Sequence, residues 1–314
     1  MTVAALSYVV VTDRFKTIRR LVDCLRLQTA RRDMEVVIVA PIGSRAELAE
    51  VVPDEFAAVR IVEEESIWPM GAARAAGVRA ATAPIVFLGE THSFPYPGFA
   101  RAILDAAPLQ WDVLVPALEN ANPENAISWS NFLMDYGSWH RELPPGPLGG
   151  GPTWNVAYRR SVLMEVDDRL DQMLSHGDDL AVAFRAKHRE TTFEPSAVIG
   201  HANLSQARRW FDQRYLAGLL VGESRRRRWS LGKRLVYAAA SPLVPAVIIA
   251  RLRPAINAGT RQGMRWTSIP ALFVGAVFRT VGELVAYTRG ASATSQDRMD
   301  EYELHKLDFT SLSY

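Results

Sequence analysis

The sequence contains a single cysteine, Cys24, and shows no excess of charge of either sign. One cysteine excludes an internal disulfide bond and is typical of proteins that fold in a reducing compartment. The 36 lysines and arginines are balanced by 34 aspartates and glutamates, which leaves a net charge of +2. So small a net charge provides no general attraction for a polyanion, and we therefore expect no nucleic-acid partner.

The amino terminus lacks the features of a secretory signal peptide. Residues 1–10, Met-Thr-Val-Ala-Ala-Leu-Ser-Tyr-Val-Val, contain neither a basic segment nor a small-residue cleavage site. Their apolar character, rich in valine, instead predicts a first β-strand. We therefore expect the soluble part of the protein to face the cytoplasm.

Residues 1–115 alternate between strand and helix patterns, in a chain of 314 residues that is 48% hydrophobic. Apolar runs predict buried strands at residues 5–11, 35–39, 59–62 and 84–88. Apolar residues at helical spacing predict helices at residues 18–27, 45–52 and 71–81. This alternation predicts an α/β fold with a parallel sheet between two layers of helices. Ligands of such sheets bind beyond the carboxyl ends of the strands.

A carboxylate and an imidazole follow the fourth predicted strand. Glu90 and His92 are separated by one residue and precede the turn Pro95-Tyr-Pro-Gly98. Both side chains are competent ligands for Mn²⁺ or Mg²⁺, and imidazole suits Mn²⁺ better. From these residues alone, a metal site and an ordinary polar loop are both open interpretations.

Two further polar segments have a structural and a functional interpretation. Asp178 and Asp179 open a predicted helix, where carboxylates either cap the helix or act in chemistry. Residues 149–151 are three consecutive glycines, which form either a flexible linker or a backbone that passes close to a bulky ligand.

Six segments occur in a defined order along residues 5–225. They are Ser7-Tyr-Val-Val-Val-Thr-Asp-Arg14, Asp33-Met-Glu-Val-Val-Ile-Val39, Gly71-Ala-Ala-Arg-Ala-Ala-Gly77, Glu90-Thr-His92, Asn155-Val-Ala-Tyr-Arg-Arg160 and Gly177-Asp-Asp179. In this order the chain resembles the family 2 glycosyltransferases of the membrane-associated bacterial type. That resemblance implies the GT-A (nucleotide-diphosphosugar transferase) fold, a Rossmann-like mixed sheet flanked by helices, with hydrophobic helices after it.

The resemblance implies an inverting transfer of a sugar from a nucleotide diphosphosugar to a lipid-linked or polysaccharide acceptor. Glu90 and His92 occupy the place of the family's Asp-X-Asp motif and would hold a divalent cation, Mn²⁺ or Mg²⁺. Such a cation offsets the charge on the departing diphosphate. Asp179 would be the general base, and Asp178 would orient it or bind the acceptor.

The resemblance also implies roles in substrate binding for seven residues. Those expected on the donor side are Thr12, Arg74, Glu63 and His201, and for His201 an ordinary loop or capping histidine is the alternative. Those expected on the acceptor side are Gly151, Trp154 and Asn155. Glu63 or Glu64 is a possible substitute for the family's base-reading aspartate, because the second predicted strand here ends in Ala40-Pro-Ile-Gly-Ser44.

The C-terminal third differs in composition from the rest. Arg225-Arg-Arg-Arg228 precedes two apolar segments, residues 235–250 and 269–287, and Pro242 and Pro245 interrupt the first of these. Basic residues beside apolar helices favour an interfacial or re-entrant pair on the cytoplasmic face of a bacterial inner membrane. Packing against the catalytic domain and two true spans are the alternatives.

These observations predict three regions along the chain. They are a catalytic domain at 1–225 with a nucleotide-sugar half (1–115) and an acceptor half (116–225), hydrophobic helices at 226–290 and a polar tail at 291–314. A rival hypothesis is a catalytically inactive GT-A scaffold that binds a nucleotide or a partner in a membrane-bound polysaccharide assembly. A nucleotidyltransferase is less favoured, because Val11-Thr-Asp-Arg14 contains no glycine. The sequence indicates no oligomeric state.

Overall fold

The computed structural model describes residues 3–51, 55–175 and 179–312. The chain forms two compact units, the first from Met1–Glu119 and Arg141–Gly200 and the second from Asn120–His140 and His201–Ser313. These units are structural divisions. The predicted functional boundaries near residues 115, 225 and 290 stay predictions.

A mixed β-sheet forms the basis of the first unit. Its strands are β1 (Leu6–Val11), β2 (Met34–Pro41), β3 (Ala58–Glu64), β4 (Ile85–Leu88), β5 (Ser93–Pro95), β6 (Val113–Asn120), β7 (Gly146–Pro147), β8 (Val156–Arg159) and β9 (Thr191–His201). The strand order is β3-β2-β1-β4-β8-β6-β9-β5, and β7 pairs with β9. Neighbours among β1–β4 are parallel, whereas β8 is antiparallel to β4 and to β6.

Helices account for most of the remaining described chain. They are α1 (Phe15–Arg26), α2 (Arg45–Val51), α3 (Met70–Ala80), α4 (Phe99–Asp105), α5 (Ala126–Asp135), α6 (Arg160–Met164), α7 (Leu170–Ser175), α8 (Asp179–Ala186), α9 (Ala207–Arg228), α10 (Leu231–Ala239), α11 (Val244–Arg251), α12 (Arg253–Arg261), α13 (Ser268–Arg289) and α14 (Ala293–Leu304). Helices α1–α4 and α6–α8 belong to the first unit, and α5 and α9–α14 belong to the second.

The core of the first unit explains why its apolar runs form strands. All six residues of β1 and all four of β4 are buried, as expected for central strands covered by helices on both faces. Aromatic rings pack together in this core. The ring centroids of Tyr8 and Phe87 are 5.0 Å apart, and those of Phe87 and Phe99, which meet edge to face, are 4.9 Å apart. The alternation of strands and helices predicted for residues 1–115 is therefore confirmed.

A buried carboxylate joins the beginnings of three central strands. The Glu35 side chain accepts hydrogen bonds from Ser7 Oγ (2.5 Å), Thr82 N (2.8 Å) and Thr82 Oγ1 (2.9 Å), and it pairs with Arg60. Burial alone would raise the pKa of Glu35, but these hydrogen bonds outweigh burial and lower it below its ordinary value.

Helices α9 and α13 of the second unit pack with their backbones in direct contact. A Cβ added to Gly218 would lie 1.8 Å from the backbone oxygen of Arg279. A Cβ added to Gly282 would lie 2.2 Å from the backbone oxygen of Tyr215. Glycine is therefore required at both positions, because any side chain would force the two helices apart.

Ion pairs are buried along the same helices. Arg214 of α9 is fully buried and forms a bidentate pair with Asp135 of α5, at 2.8 and 2.6 Å. Glu283 of α13 contacts Arg279 one turn earlier at 3.6 Å and Arg225 of α9 at 2.5 Å. Arg279 and Glu283 of α13 thus face protein groups within the second unit, where each has an oppositely charged partner.

Residues 291–312 are the described part of the segment predicted to be a polar tail. They form α14, and the side chains of Tyr302, Leu304 and Leu307 are buried. Asp212 of α9 accepts hydrogen bonds from the Arg298 guanidinium and the Tyr302 hydroxyl, each at 2.7 Å. Scattered apolar residues between the charges are enough to pack this helix against α9.

By length and composition, α13 is apolar enough to cross a membrane, and 39% of its most apolar window is buried within the protein. The pair Leu231–Ala239 and Ser241–Arg251 passes the same test only as one span, although the two helices meet at a 51° bend. A buried helix of a soluble protein also passes this test, so these features alone do not assign a membrane span.

Replacing Glu35 with glutamine is expected to lower the free energy of unfolding at pH 7 by about 2–4 kcal/mol, because an amide nitrogen would face hydrogen-bond donors. The Glu35 pKa is lower in the folded state, so the stabilisation is present above its unfolded value near 4.5 and is lost as the pH falls through the folded value. Urea unfolding of both proteins at pH 7 and pH 3 measures the difference.

The exposed ion pair of Glu55 with Arg31 provides a control, since Glu55→Gln should change stability by no more than about 0.5 kcal/mol. If Glu35→Gln lowered the free energy of unfolding equally at pH 7 and pH 3, this would contradict a lowered Glu35 pKa in the folded state.

Candidate functional site

The carboxyl ends of β1 and β4 lie side by side and carry the first site residues. The two strands pair in parallel with Val9 opposite Leu88, and Gly89 N donates to Val9 O at 2.9 Å. A Cβ on Gly89 would lie 2.4 Å from the Tyr8 ring, so only glycine allows this close approach. Burial raises the pKa of Tyr8 well above its ordinary value, and the neighbouring Glu90 raises it further.

Asn155 binds the Glu90 carboxylate from the adjacent strand. Because β8 is antiparallel to β4 with Val156 opposite Leu88, the residue before β8 lies next to the end of β4. Asn155 has φ +57°, a conformation that asparagine tolerates better than most residues, and its backbone N–H donates to Leu88 O. Its side-chain Nδ2 donates to Glu90 Oε2 at 2.6 Å. The acceptor role expected for Asn155 stays a prediction, whereas its contact with Glu90 is a structural finding.

Glu90 and His92 face each other, as their spacing suggested. His92 Nε2 lies 3.4 Å from Glu90 Oε2, and Ser93 Oγ donates to the same oxygen at 3.4 Å. The two side chains are almost fully buried, Glu90 at 5% and His92 at 0% exposure. A buried carboxylate requires such partners, because an isolated buried charge is strongly unfavourable.

His201 completes a group of three metal-ligating side chains. It is the last residue of β9, whose other residues belong to the first unit. One ligand atom each from Glu90, His92 and His201 lies within 4.8 Å of the others, and all three residues are buried. Small side-chain adjustments would bring these atoms onto one divalent cation, since metal–ligand distances are about 2.0–2.3 Å.

The chemistry of this donor set fits a divalent transition metal. It offers one carboxylate oxygen and two imidazole nitrogens. Mg²⁺ prefers oxygen ligands and keeps several waters, whereas imidazole suits transition metals such as Mn²⁺. The group therefore fits a divalent cation.

Arg74 and Trp154, predicted to bind donor and acceptor respectively, stack on each other. The guanidinium carbon of Arg74 lies 3.8 Å from the Trp154 ring centroid. Arg74 is on α3 and only 8% exposed, so a cation–π contact of this kind holds its planar group in one orientation. Two residues predicted from separate segments therefore lie together.

Thr12 and Glu63 are engaged in local structure. Thr12 is fully buried after β1, and its hydroxyl donates to Arg14 O at 2.7 Å. The Glu63 carboxylate accepts from Arg45 Nε at 3.1 Å and from Gly43 N at 2.9 Å. The Arg45 hydrogen bond lowers the pKa of Glu63 below its ordinary value. The donor-binding roles expected for Thr12 and Glu63 stay predictions.

The glycine segment forms one wall of a cavity of about 300 Å³ in the first unit. Gly151 lies so close to the sheet that a Cβ would be 2.6 Å from Val115 Cγ2, and Gly150 has φ +149°. Tyr158 of β8 and Phe184 of α8 line the same cavity. This volume is at the lower end of the range for small-molecule pockets.

Asp179 was predicted to be the general base, and Asp178 was predicted to orient it or to bind the acceptor. Asp179 is the first residue of α8 and is half-buried. Asp178 lies outside the described residues. The catalytic roles of both stay predictions.

Sequence reasoning missed two residues that support the metal group. Tyr8 packs under Gly89, and Asn203 binds the imidazole of His201, with Nδ1 and Oδ1 2.9 Å apart. The only sequence signal for Asn203 is that it follows His201 by two residues, a spacing that by itself does not distinguish a ligand partner from a loop residue.

Replacing Glu90 with glutamine should weaken Mn²⁺ binding by at least about tenfold, because the only anionic ligand of the group is lost. Isothermal titration of the purified protein with Mn²⁺ measures this without any substrate. Glu64→Gln, at the partly exposed end of β3, is the matched control and should bind Mn²⁺ normally. Equal Mn²⁺ affinity of Glu90→Gln and the original protein would contradict the assignment.

No protein-family model and no curated protein sequence matches the chain. Among solved structures, the mannosyltransferase PcManGT from Pyrobaculum calidifontis, in complex with GDP-Man and Mn²⁺, is similar with a TM-score of 0.55 and 15% identity. The similarity covers 92% of this chain and 88% of that chain.

S. aureus TarS is similar at 13% identity and a TM-score of 0.48 over 90% of this chain, which spans only 55% of that TarS chain. TarS 1-349 in complex with UDP-GlcNAc is similar at 12% identity and a TM-score of 0.46 over 90% of both chains. Both TM-scores for TarS are below 0.5, so the fold is assigned without them. From the similarity to PcManGT, the chain has the mixed α/β fold of a glycosyltransferase, as predicted.

Proposed function

We propose that this protein is an inverting, family 2 type glycosyltransferase. It would transfer a sugar from a nucleotide diphosphosugar to a lipid-linked or polysaccharide acceptor with the help of a divalent cation. The observation that carries the proposal is the buried group of Glu90, His92 and His201 after β4, on a fold shared with a mannosyltransferase bound to GDP-Man and Mn²⁺.

Glu90, His92 and His201 would hold the cation, with Mn²⁺ preferred over Mg²⁺. When bound, the cation supplies positive charge that stabilises the departing diphosphate. Asn155 donates to Glu90 Oε2 and so restricts the rotation of this carboxylate. Burial of the group keeps water from competing for these ligand atoms.

Arg74 is suited to bind the donor. Its guanidinium is always protonated and presents a fixed fork of hydrogen-bond donors, which matches phosphate or ribose oxygens. Trp154 covers one face of this group, so the edge is the part that remains for a ligand. The pair thus supports a donor cleft at the same end of the sheet as Glu90.

Asp179 would act as general base. It would take the proton of the acceptor hydroxyl while the oxygen attacks the anomeric carbon, and the nucleoside diphosphate would leave from the opposite side with the bonding electrons. A single displacement of this kind inverts the anomeric centre. Asp178 would orient Asp179 or the acceptor, and the cavity beside Gly151 is a candidate for the acceptor.

We also propose that the second unit attaches to the cytoplasmic face of a bacterial inner membrane. Between residues 231 and 281, twelve large apolar side chains are exposed, here named the apolar surface: Leu231, Leu235, Val236, Tyr237, Leu243, Val247, Trp266, Ile269, Phe273, Val274, Phe278 and Val281. So many exposed apolar residues in one region are typical of an interaction surface. Arg251 and Arg253, also exposed, would attract anionic headgroups.

Incubation with a panel of nucleotide diphosphosugars should reveal turnover that depends on Mn²⁺. Mass spectrometry detects transfer to phospholipid or glycan acceptors, and hydrolysis of the donor reports activity when the acceptor is absent. Nucleotide binding without turnover on any donor would instead support the inactive scaffold.

Asp179→Asn should reduce the rate of transfer at least about a hundredfold, because the amide cannot accept the proton, while donor affinity stays the same. Asp105→Asn, at the exposed end of α4, is the matched control with normal turnover. Near-normal turnover of Asp179→Asn would reject this residue as the base.

The double variant Leu235→Glu, Phe273→Glu should lose most of its co-sedimentation with vesicles that contain anionic phospholipid, because both changes put charge on the apolar surface. Leu109→Glu changes a residue of the first unit that is 59% exposed, and it should sediment with vesicles as the original protein does. Unchanged sedimentation of the double variant, with circular dichroism showing an intact fold, would rule out this surface.

A further inference from the structure

A cluster of polar side chains surrounds His201 in the second unit. Asn122, Ser128, His201 and Asn203 are fully buried, and Asn120 is half-buried beside them. Their hydrogen bonds connect the end of β6, the start of α5 and the segment after β9. So many buried amides in one place are stable only when their donors and acceptors are paired.

The side-chain amide of Asn203 has one allowed orientation. Its nitrogen donates to the backbone oxygen of His201 at 2.8 Å and to Asn120 Oδ1 at 2.9 Å. A backbone oxygen can only accept hydrogen bonds. Turning the amide over would therefore set two oxygen atoms 2.8 Å apart, so the nitrogen must face the backbone and Oδ1 must face the His201 ring.

This orientation determines which nitrogen of His201 carries hydrogen. Asn203 Oδ1 lies 2.9 Å from His201 Nδ1, and a carbonyl oxygen cannot donate. His201 Nδ1 therefore carries hydrogen, and Nε2 is the ring nitrogen that can present a lone pair. Since a metal ligand needs a lone pair, Nε2 is the atom that His201 can offer to the group formed with Glu90 and His92.

We propose that Asn203 is a positioning residue that holds His201 in the Nδ1–H tautomer, with Nε2 as its metal-ligating atom. The inference rests on the proposed metal-assisted function. Hydrogen-bond partners of this type commonly fix the tautomer and the ring orientation of metal-bound histidines.

The surroundings keep both side chains in place. Asn122 holds the backbone of Asn203 on two sides, because its Oδ1 accepts from Asn203 N at 2.8 Å and its Nδ2 donates to Asn203 O at 2.7 Å. The His201 ring also packs against Tyr136, with ring centroids 4.4 Å apart. The ligand is thus oriented before any metal arrives, which lowers the entropy lost on binding.

Nitrogen NMR of the metal-free protein tests the assignment directly. The chain has 6 histidines, so comparison with the spectrum of His201→Gln identifies the ring of His201. We expect its signals to show hydrogen on Nδ1. Hydrogen on Nε2 in the unmodified protein would overturn the proposal without any variant.

Replacing Asn203 with leucine, which is similar in size but cannot accept a hydrogen bond, should release the tautomer and weaken Mn²⁺ binding about 10–100-fold. Ser128→Ala is the matched control, because it removes the Ser128 hydroxyl that donates to Asn120 and Asn122 in the same cluster and leaves in place the bonds between Asn122 and the Asn203 backbone. We expect Ser128→Ala to lower the unfolding temperature while the His201 tautomer is retained.

If Asn203→Leu retained both the Nδ1–H tautomer and full Mn²⁺ affinity, Asn203 would have no positioning role. A tautomer change of the same size in Ser128→Ala would also overturn the proposal, since general loosening of the cluster would then explain it. Both measurements are made without a nucleotide sugar, so their outcome is separate from whether the protein transfers a sugar.

Discussion

The cost of burying a carboxylate is the constraint on which the site depends. Glu90 is almost completely removed from water, and such a group is tolerated only when oppositely polarised atoms surround it. Asn155, Ser93 and His92 supply those atoms, each from a position set by the ends of β4, β5 or β8. A divalent cation would complete this compensation, so the arrangement that satisfies Glu90 is also one that prepares a metal site.

The same constraint shapes both units of the chain. In the first unit, Glu35 is buried among donors from Ser7 and Thr82 at the opposite ends of the strands from Glu90. In the second unit, α9 and α13 approach through glycines, and the charged residues beside that contact are paired. Buried polar groups therefore determine how closely the helices and strands can approach, in addition to the apolar contacts that drive folding.

Local patterns predicted the elements well and the contacts less well. Short apolar runs such as those of β1 and β4 are typical of strands covered on both faces. The structure places both strands within one residue of the predicted bounds. The contacts of the polar C-terminal segment could not be predicted, because its few apolar residues become buried only once α9 is present. The contact of Asn155 with Glu90 could not be predicted either, because neither the left-handed backbone of Asn155 nor this contact can be read from neighbouring residues.

The amino-acid pattern alone is enough to predict buried parallel strands, with a carboxylate and an imidazole after β4. These properties depend on residues close together in the chain, whose spacing sets the side-chain direction. Folding is needed to bring His201 to Glu90 and His92, to place Arg74 on Trp154 and to set Asn203 against the His201 ring. Most of these contacts connect segments that are distant in the chain, because hydrogen bonds act through space. Asn203 is only two residues from His201, yet Asn120 and Asn122 are the residues that orient it.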